Sequence, residues 1–283
     1  MRGEIYVSSL AFAGMQVDDM IEIARQNDWG LEFSSGMAYQ VDMEYLYLEA
    51  TIKRMPHNYF PAPKEPFVLN LASSDEIIRS VSVNHCLNGL RLAKQSNSPF
   101  FAAHAGFCID PHPAQLGREI PFNSRFNRDN NKELFLKSIE EILITAGQLE
   151  QKFLIENNVI AGFNYNNNIN PFLCCESSEI EWLCNSFDNE LFGILLDTAH
   201  LKVSCQTLGK DKEDEFELIK SFVKGIHHSD NDGTKDDNLP LTNDYWFAPF
   251  MKESFGVPHV LEVKDLSVCD VNEQIKYLNT LWN

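Results

Sequence analysis

Short apolar runs recur along the chain, and longer stretches between them return an apolar side chain every third or fourth position. The first pattern marks strands buried on both faces; the second marks helices with one apolar face. Strands are predicted at residues 5–9, 30–33, 53–57, 99–104, 152–156, 193–197, 223–227 and 258–263. Residues 17–27 carry Met20, Ile21, Ile23 and Ala24 at helical spacing, and residues 132–148 repeat Leu134, Ile139, Ile142 and Leu143. Ser73-Ser74-Asp75-Glu76 is a capping-box pattern, with Ser73 as N-cap and Glu76 at N3, opening a helix through Lys94. Further helices are predicted at 177–187, 212–222 and 271–281, with 42–51 a candidate for a short one.

Eight strands alternating with helices imply a parallel sheet, and eight is the number that closes a barrel. The expected fold is a single (β/α)8 TIM barrel domain over residues 1–283. An open doubly wound sheet is the competitor, but no GxGxxG or P-loop follows any strand. No internal repeat or long Pro/Gly/Ser linker divides the chain, and the Asn-rich residues 164–170 read as a polar loop.

Composition narrows the setting. A hydrophobic content of 44% in 283 residues is ample for a large core. The opening MRGEIYVSSLAF is too polar and short for a signal peptide, and no run approaches the roughly 18 apolar residues of a membrane span. The seven cysteines are odd in number and form no CxxC pair, which points to a reducing, cytoplasmic location rather than a disulfide framework. Net charge is −18, and the densest lysine stretch, residues 210–220, is interleaved with Asp211, Glu213, Asp214, Glu215 and Glu217. Such a chain repels a phosphate backbone, so no nucleic-acid partner and no membrane are expected.

Reactive residues gather where the strands end, which in a barrel is the face that carries chemistry. The third strand ends in Met55-Pro56-His57, the fourth in Ala103-His104 and the fifth in Leu154-Ile155-Glu156. The sixth reads Leu196-Asp197-Thr198-Ala199-His200, the seventh Ile226-His227-His228-Ser229-Asp230 and the eighth Leu261-Glu262-Val263. One such carboxylate could be a helix cap. Several buried together require a neutralising cation, and mixed imidazole and carboxylate suit Mn²⁺, Mg²⁺, Co²⁺ or Zn²⁺.

This order of motifs resembles the xylose-isomerase-like barrel superfamily, which includes sugar isomerases and epimerases, inosose dehydratases, hydroxypyruvate isomerases and endonuclease IV. The resemblance implies a single divalent ion held by Glu156, Asp197, His227 and Glu262. The resemblance prefers His227 to His228, because the family's histidine stands three residues before the aspartate now at Asp230; strand alternation would then turn His228 away from the axis. His57, His104, His200 and Asp236 would bind substrate or a second ion. The larger endonuclease cluster needs a histidine two residues after that aspartate; the chain has Asn238, a poor zinc ligand.

The implied function is a metal-dependent sugar or sugar-phosphate isomerase or epimerase. Glu156 and Glu262 form its acid/base pair, acting through a metal-stabilised enediolate. An inosose-type dehydratase using the same enolate chemistry, and an endonuclease IV-like zinc phosphodiesterase, are the alternatives. The partner is a small carbohydrate, and exposed barrel helices allow a homodimer. Residues 107–131 form the expected specificity loop, with Arg118, Arg125 and Arg128 offered to a phosphate or carboxylate. Glu32 either reaches the site or pairs with a nearby Arg or Lys, and His112 is a candidate for its border. Asn157 and Lys264 are expected to support the ligands. His85 and His259, and the aromatics Tyr245, Trp246 and Phe247, are read as structural.

Overall fold

The computed structural model describes residues 3–122, 125–253 and 256–282. Eight parallel strands form one sheet: β1 (Ile5–Ser8), β2 (Gly30–Phe33), β3 (Arg54–Pro56), β4 (Phe101–His104), β5 (Phe153–Glu156), β6 (Phe192–Asp197), β7 (Val223–His228) and β8 (His259–Leu261). Their order is β3-β2-β1-β8-β7-β6-β5-β4. The two ends meet through a parallel bridge between His57 and Ala102, where Asn58 N–H donates to the Ala102 carbonyl at 2.8 Å. The result is a (β/α)8 TIM barrel.

Around it lie α1 (Val17–Asn27), α2 (Met43–Glu49), α3 (Glu76–Gln95), α4 (Arg128–Leu149), α5 (Ser177–Asn185), α6 (Thr198–Leu208), α7 (Lys212–Ile219) and α8 (Val268–Leu281). Among the described residues, no helix is long and apolar enough to cross a membrane. Six cysteines are buried, Cys269 is exposed, and all are free thiols.

Two local expectations need correction. The N-cap of α3 is Asp75, whose side chain accepts from Ile77 and Ile78 N–H. Ser73 is diverted: its hydroxyl donates to Asp110 and accepts from Asp75 N–H. Helix α6 had no counterpart in the pattern, which placed a helix only at 212–222. Asp197 ends β6 and caps α6 at once, accepting from His200 N–H at 2.7 Å, so strand and helix share a residue with no turn between them.

Alternation along each strand sorts the side chains into two cores. Residues pointing outward, such as Leu31, Phe33, Phe101, Ile155, Leu196 and Ile226, pack under the helices. Those pointing inward form a separate cluster of Tyr6, Met55, Phe100, Ala102, Leu154, Leu195 and Val260 inside the barrel. A Cβ on Gly225 would lie 2.7 Å from the Phe100 ring and 3.1 Å from Leu195, so glycine there makes room for that layer. Each inward position has a partner two residues on, one layer closer to the C-terminal mouth. From Met55, Ala102, Leu154, Leu195, Gly225 and Val260 this step gives His57, His104, Glu156, Asp197, His227 and Glu262.

Candidate metal centre

The ring of strand ends thus becomes the floor of a cavity. Strand register sets His104 beside Glu156 and Asp197 beside His227. Glu156, Asp197, His227 and Glu262 are buried, and each offers one ligand atom within 4.8 Å of the others. His227 Nδ1 lies 2.9 Å from Glu262 Oε2, 3.8 Å from Glu156 Oε1 and 4.0 Å from Asp197 Oδ2. Histidines surround Glu156: His57 Nε2 at 3.0 Å, His200 Nδ1 at 3.4 Å and His104 Nε2 at 3.7 Å. Asp236 stands at the rim and meets His200 Nε2 at 3.3 Å.

Neighbouring groups hold this arrangement in place. Asp197 spends one oxygen on the α6 cap, and its other oxygen points at the centre. Asn157 brackets Asp197, accepting from its N–H at 2.8 Å and donating to its carbonyl at 3.1 Å. The Asn157 carbonyl then accepts from His200 Nδ1 at 2.8 Å, which turns Nε2 toward the cavity.

The donor set fits a divalent cation. Both Glu156 oxygens and Asp197 Oδ2 are buried without a hydrogen-bond partner. Among the described residues, no Lys or Arg forms an ion pair with Glu32, Glu156, Asp197 or Glu262. Burial pushes the Asp197 carboxyl up to about 8; His200 pulls against it, while Glu262, Asp236 and Glu156 add to the rise. Burial also acts upward on Glu262, but the charge and hydrogen bond of His227 prevail and hold it down at about 2. Burial alone would lower His227, yet Glu262 and Glu32 raise it well above the ordinary histidine value. Among the described residues these buried carboxylates are ion-paired only with imidazoles, which is the situation a metal relieves.

Above the floor is a cavity of about 350 Å³. Glu156, His104, His200, Asp236 and Glu262 line its base, and Tyr59, Leu69, Phe107, Ile120, Phe163 and Phe172 its walls. Lys264 also lines it. The expected specificity loop therefore contributes apolar walls. Arg128 is bound to Glu179 at 2.7 Å and donates to the Asn170 and Phe172 carbonyls, so it is not available to a ligand. Arg118 does not line the cavity, and Asn123 and Ser124 of that loop lie outside the described residues.

The other histidines stand elsewhere. His112 caps a 3-10 turn (Pro113–Gln115) and borders a separate groove. His85 contacts the Asn58 carbonyl at 2.8 Å. His228 turns away from the centre, with Nδ1 2.8 Å from the Tyr245 hydroxyl and Nε2 2.7 Å from His259 Nδ1. Trp246 is buried and donates to the Thr198 carbonyl. Glu32 does belong to the centre, fully buried with Oε2 2.9 Å from His227 Nε2. Its signal was parity: in Gly30-Leu31-Glu32-Phe33 the apolar Leu31 and Phe33 take the outward positions, leaving Glu32 inside.

No curated protein matches this sequence. Among solved structures, a D-tagatose 3-epimerase-like protein superposes with a TM-score of 0.74 at 18% identity, over 98% of this chain and 96% of that one. A Thermus thermophilus protein soaked with zinc chloride gives 0.69 at 16% identity, over 98% and 97%. D-psicose 3-epimerase with D-tagatose, from Clostridium cellulolyticum, gives 0.69 at 11%, over 99% of each chain. At these identities the likeness is one of fold. The family model for the xylose isomerase-like TIM barrel matches residues 20–256, most of the barrel, and the chain belongs to that family.

Proposed function

We propose that this barrel is a divalent-metal-dependent sugar isomerase or epimerase, with Glu156, Asp197, His227 and Glu262 as the metal ligands. The observation that carries the reading is the pair Glu156 and Glu262, both at the cavity floor and both beside His227. They project from β5 and β8, three strands apart around the barrel. A cation held there supplies positive charge to a substrate carbonyl, which acidifies the neighbouring C–H.

The chain's own groups perform the proton transfer. The Glu156 carboxyl is held well below the usual range: burial raises it, but His104, His57 and His227 outweigh burial. Glu262 is likewise a carboxylate at neutral pH. Either can accept the proton from carbon, and the other, protonated from a substrate hydroxyl, then delivers one, after which the first restores the hydroxyl. Delivery to the opposite face of the same carbon gives epimerisation, and delivery to the neighbouring carbon gives isomerisation. His104, at the cavity base, presents an imidazole able to bind a hydroxyl. His200 and Asp236 offer further hydroxyl contacts at the rim, and the apolar walls exclude water from the deprotonated carbon. The epimerase neighbours and the zinc-soaked one support this reading.

The test is Glu262→Gln, assayed on a panel of ketohexoses including D-tagatose and D-psicose, in D₂O with a divalent metal present. Wild type incorporates deuterium next to the carbonyl. The variant loses turnover by about 10²–10⁴-fold while sugar binding stays measurable by calorimetry. Turnover persisting in the variant rules out the two-glutamate mechanism. A dehydratase would share the first step and release a dehydrated product, which the same spectra distinguish.

A further inference from the structure

We infer that Glu32 is a positioning residue that keeps the Nε2 proton of His227 and so commits the ring's Nδ1 to the metal. The inference rests on the metal-centre reading above.

Glu32 has no exposed surface and does not line the cavity, so neither substrate nor bulk water reaches it. Its strand, β2, lies three places from β7 around the barrel, and its side chain approaches His227 from behind. The Oε2–Nε2 separation is 2.9 Å and is aligned as a hydrogen bond. Among the described residues its other oxygen has no hydrogen-bond partner, and it ion-pairs only with His227. A carboxylate buried this way is expensive unless it does something that a smaller apolar residue could not.

What it does follows from the chemistry of imidazole. A neutral ring has one N–H and one lone pair, and the partner of one nitrogen decides the state of the other. A carboxylate can only accept, so Glu32 requires the proton on Nε2. Nδ1 faces Glu262, Glu156 and Asp197 and donates to Glu262 Oε2 at 2.9 Å; a cation held there would displace the Nδ1 proton and take that lone pair, while Glu32 keeps the proton on Nε2. A carboxylate behind a ligand histidine also fixes the ring's rotation and strengthens it as a donor. Glu32 further stands near His57, since atoms of Glu32, His57 and His227 lie within 4.8 Å of one another, and His57 Nδ1 is buried without a partner.

Zinc alone is the probe. Wild type and Glu32→Gln are titrated in competition with a chelator, and each metal-free chain is melted. Wild type is expected to bind one zinc ion, and the variant to bind it about 10–100-fold more weakly. A purely structural role would lower the melting temperature of the metal-free variant and leave zinc affinity within twofold; that result overturns the inference. So does a second zinc ion in wild type that the variant loses, since Glu32 would then be a ligand. Nitrogen-15 histidine spectra of zinc-loaded wild type decide the matter even if the variant does not fold. His227 should show a protonated Nε2 and a metal-bound Nδ1, and the reverse overturns the inference. If wild type binds no zinc, the metal-centre reading falls and this one with it. If wild type binds zinc and the variant binds it equally well, only the role of Glu32 falls.

Discussion

Asp197→Asn should raise the chain's stability without metal and lose most of the stabilisation that metal gives. Asparagine keeps the α6 cap, because its side-chain oxygen can still accept from His200 N–H. What disappears is a buried carboxyl whose pKa rises from 3.8 to about 8 on folding. A raised acid costs nothing below its unfolded value, and its penalty grows as pH climbs toward its folded value. At pH 7 that penalty amounts to about 4 kcal/mol. Glu262, Asp236 and Glu156 contribute to the rise and readjust when it is relieved, so a gain of about 2–4 kcal/mol is expected. A chain of 283 residues loses about 0.6 kcal/mol of stability per degree near its midpoint. The metal-free variant should therefore melt about 3–7 °C above wild type at pH 7, and the two should converge as pH falls to about 4.

With metal the gap closes to within about 2 °C. A cation at a thousand times its Kd adds about 4 kcal/mol, or about 7 °C, to wild type. Replacing one of four ligands with a neutral amide should weaken binding by at least about 100-fold, leaving a shift of about 2 °C at the same concentration. Differential scanning fluorimetry in chelator, then in Mn²⁺, Mg²⁺, Co²⁺ or Zn²⁺, reads both effects. The reasoning fails if the variant melts below wild type in chelator, or if it gains as much from metal as wild type does.

Two further substitutions probe the scaffold under and beside the site. Gly225→Ala drives a Cβ to 2.7 Å from Phe100 inside the barrel; overpacking should cost about 1–3 kcal/mol and lower the melting temperature by about 2–5 °C. An unchanged midpoint would show that the inner layer has slack. Arg128→Leu strands the mostly buried Glu179 and frees the Asn170 and Phe172 carbonyls that hold one cavity wall. Because Arg128 is partly exposed, a loss of about 2–3 kcal/mol is expected, together with a raised KM for sugar; an unchanged KM would mean that the Phe172 wall does not meet substrate.

The sequence by itself determined the barrel and most of its mouth. Strand periodicity is local, and the residue after an apolar run is visible in one dimension, so His57, His104, Glu156, Asp197, His227 and Glu262 could be read from strand ends alone. The two-residue period even separates His227 from His228, which the fold turns toward Tyr245 and His259. Other features depended on contacts between distant segments. Glu32 is 195 residues from His227, and only closure of the barrel brings its carboxylate behind that ring. Asp197 serving as strand end and helix cap hid α6, because one residue carried two signals. Arg128 looked free for a ligand until the fold delivered Glu179, 51 residues on, to neutralise it. Local pattern specifies which way a side chain points; only tertiary structure decides what it meets, because partners across a barrel are chosen by closure and not by sequence distance.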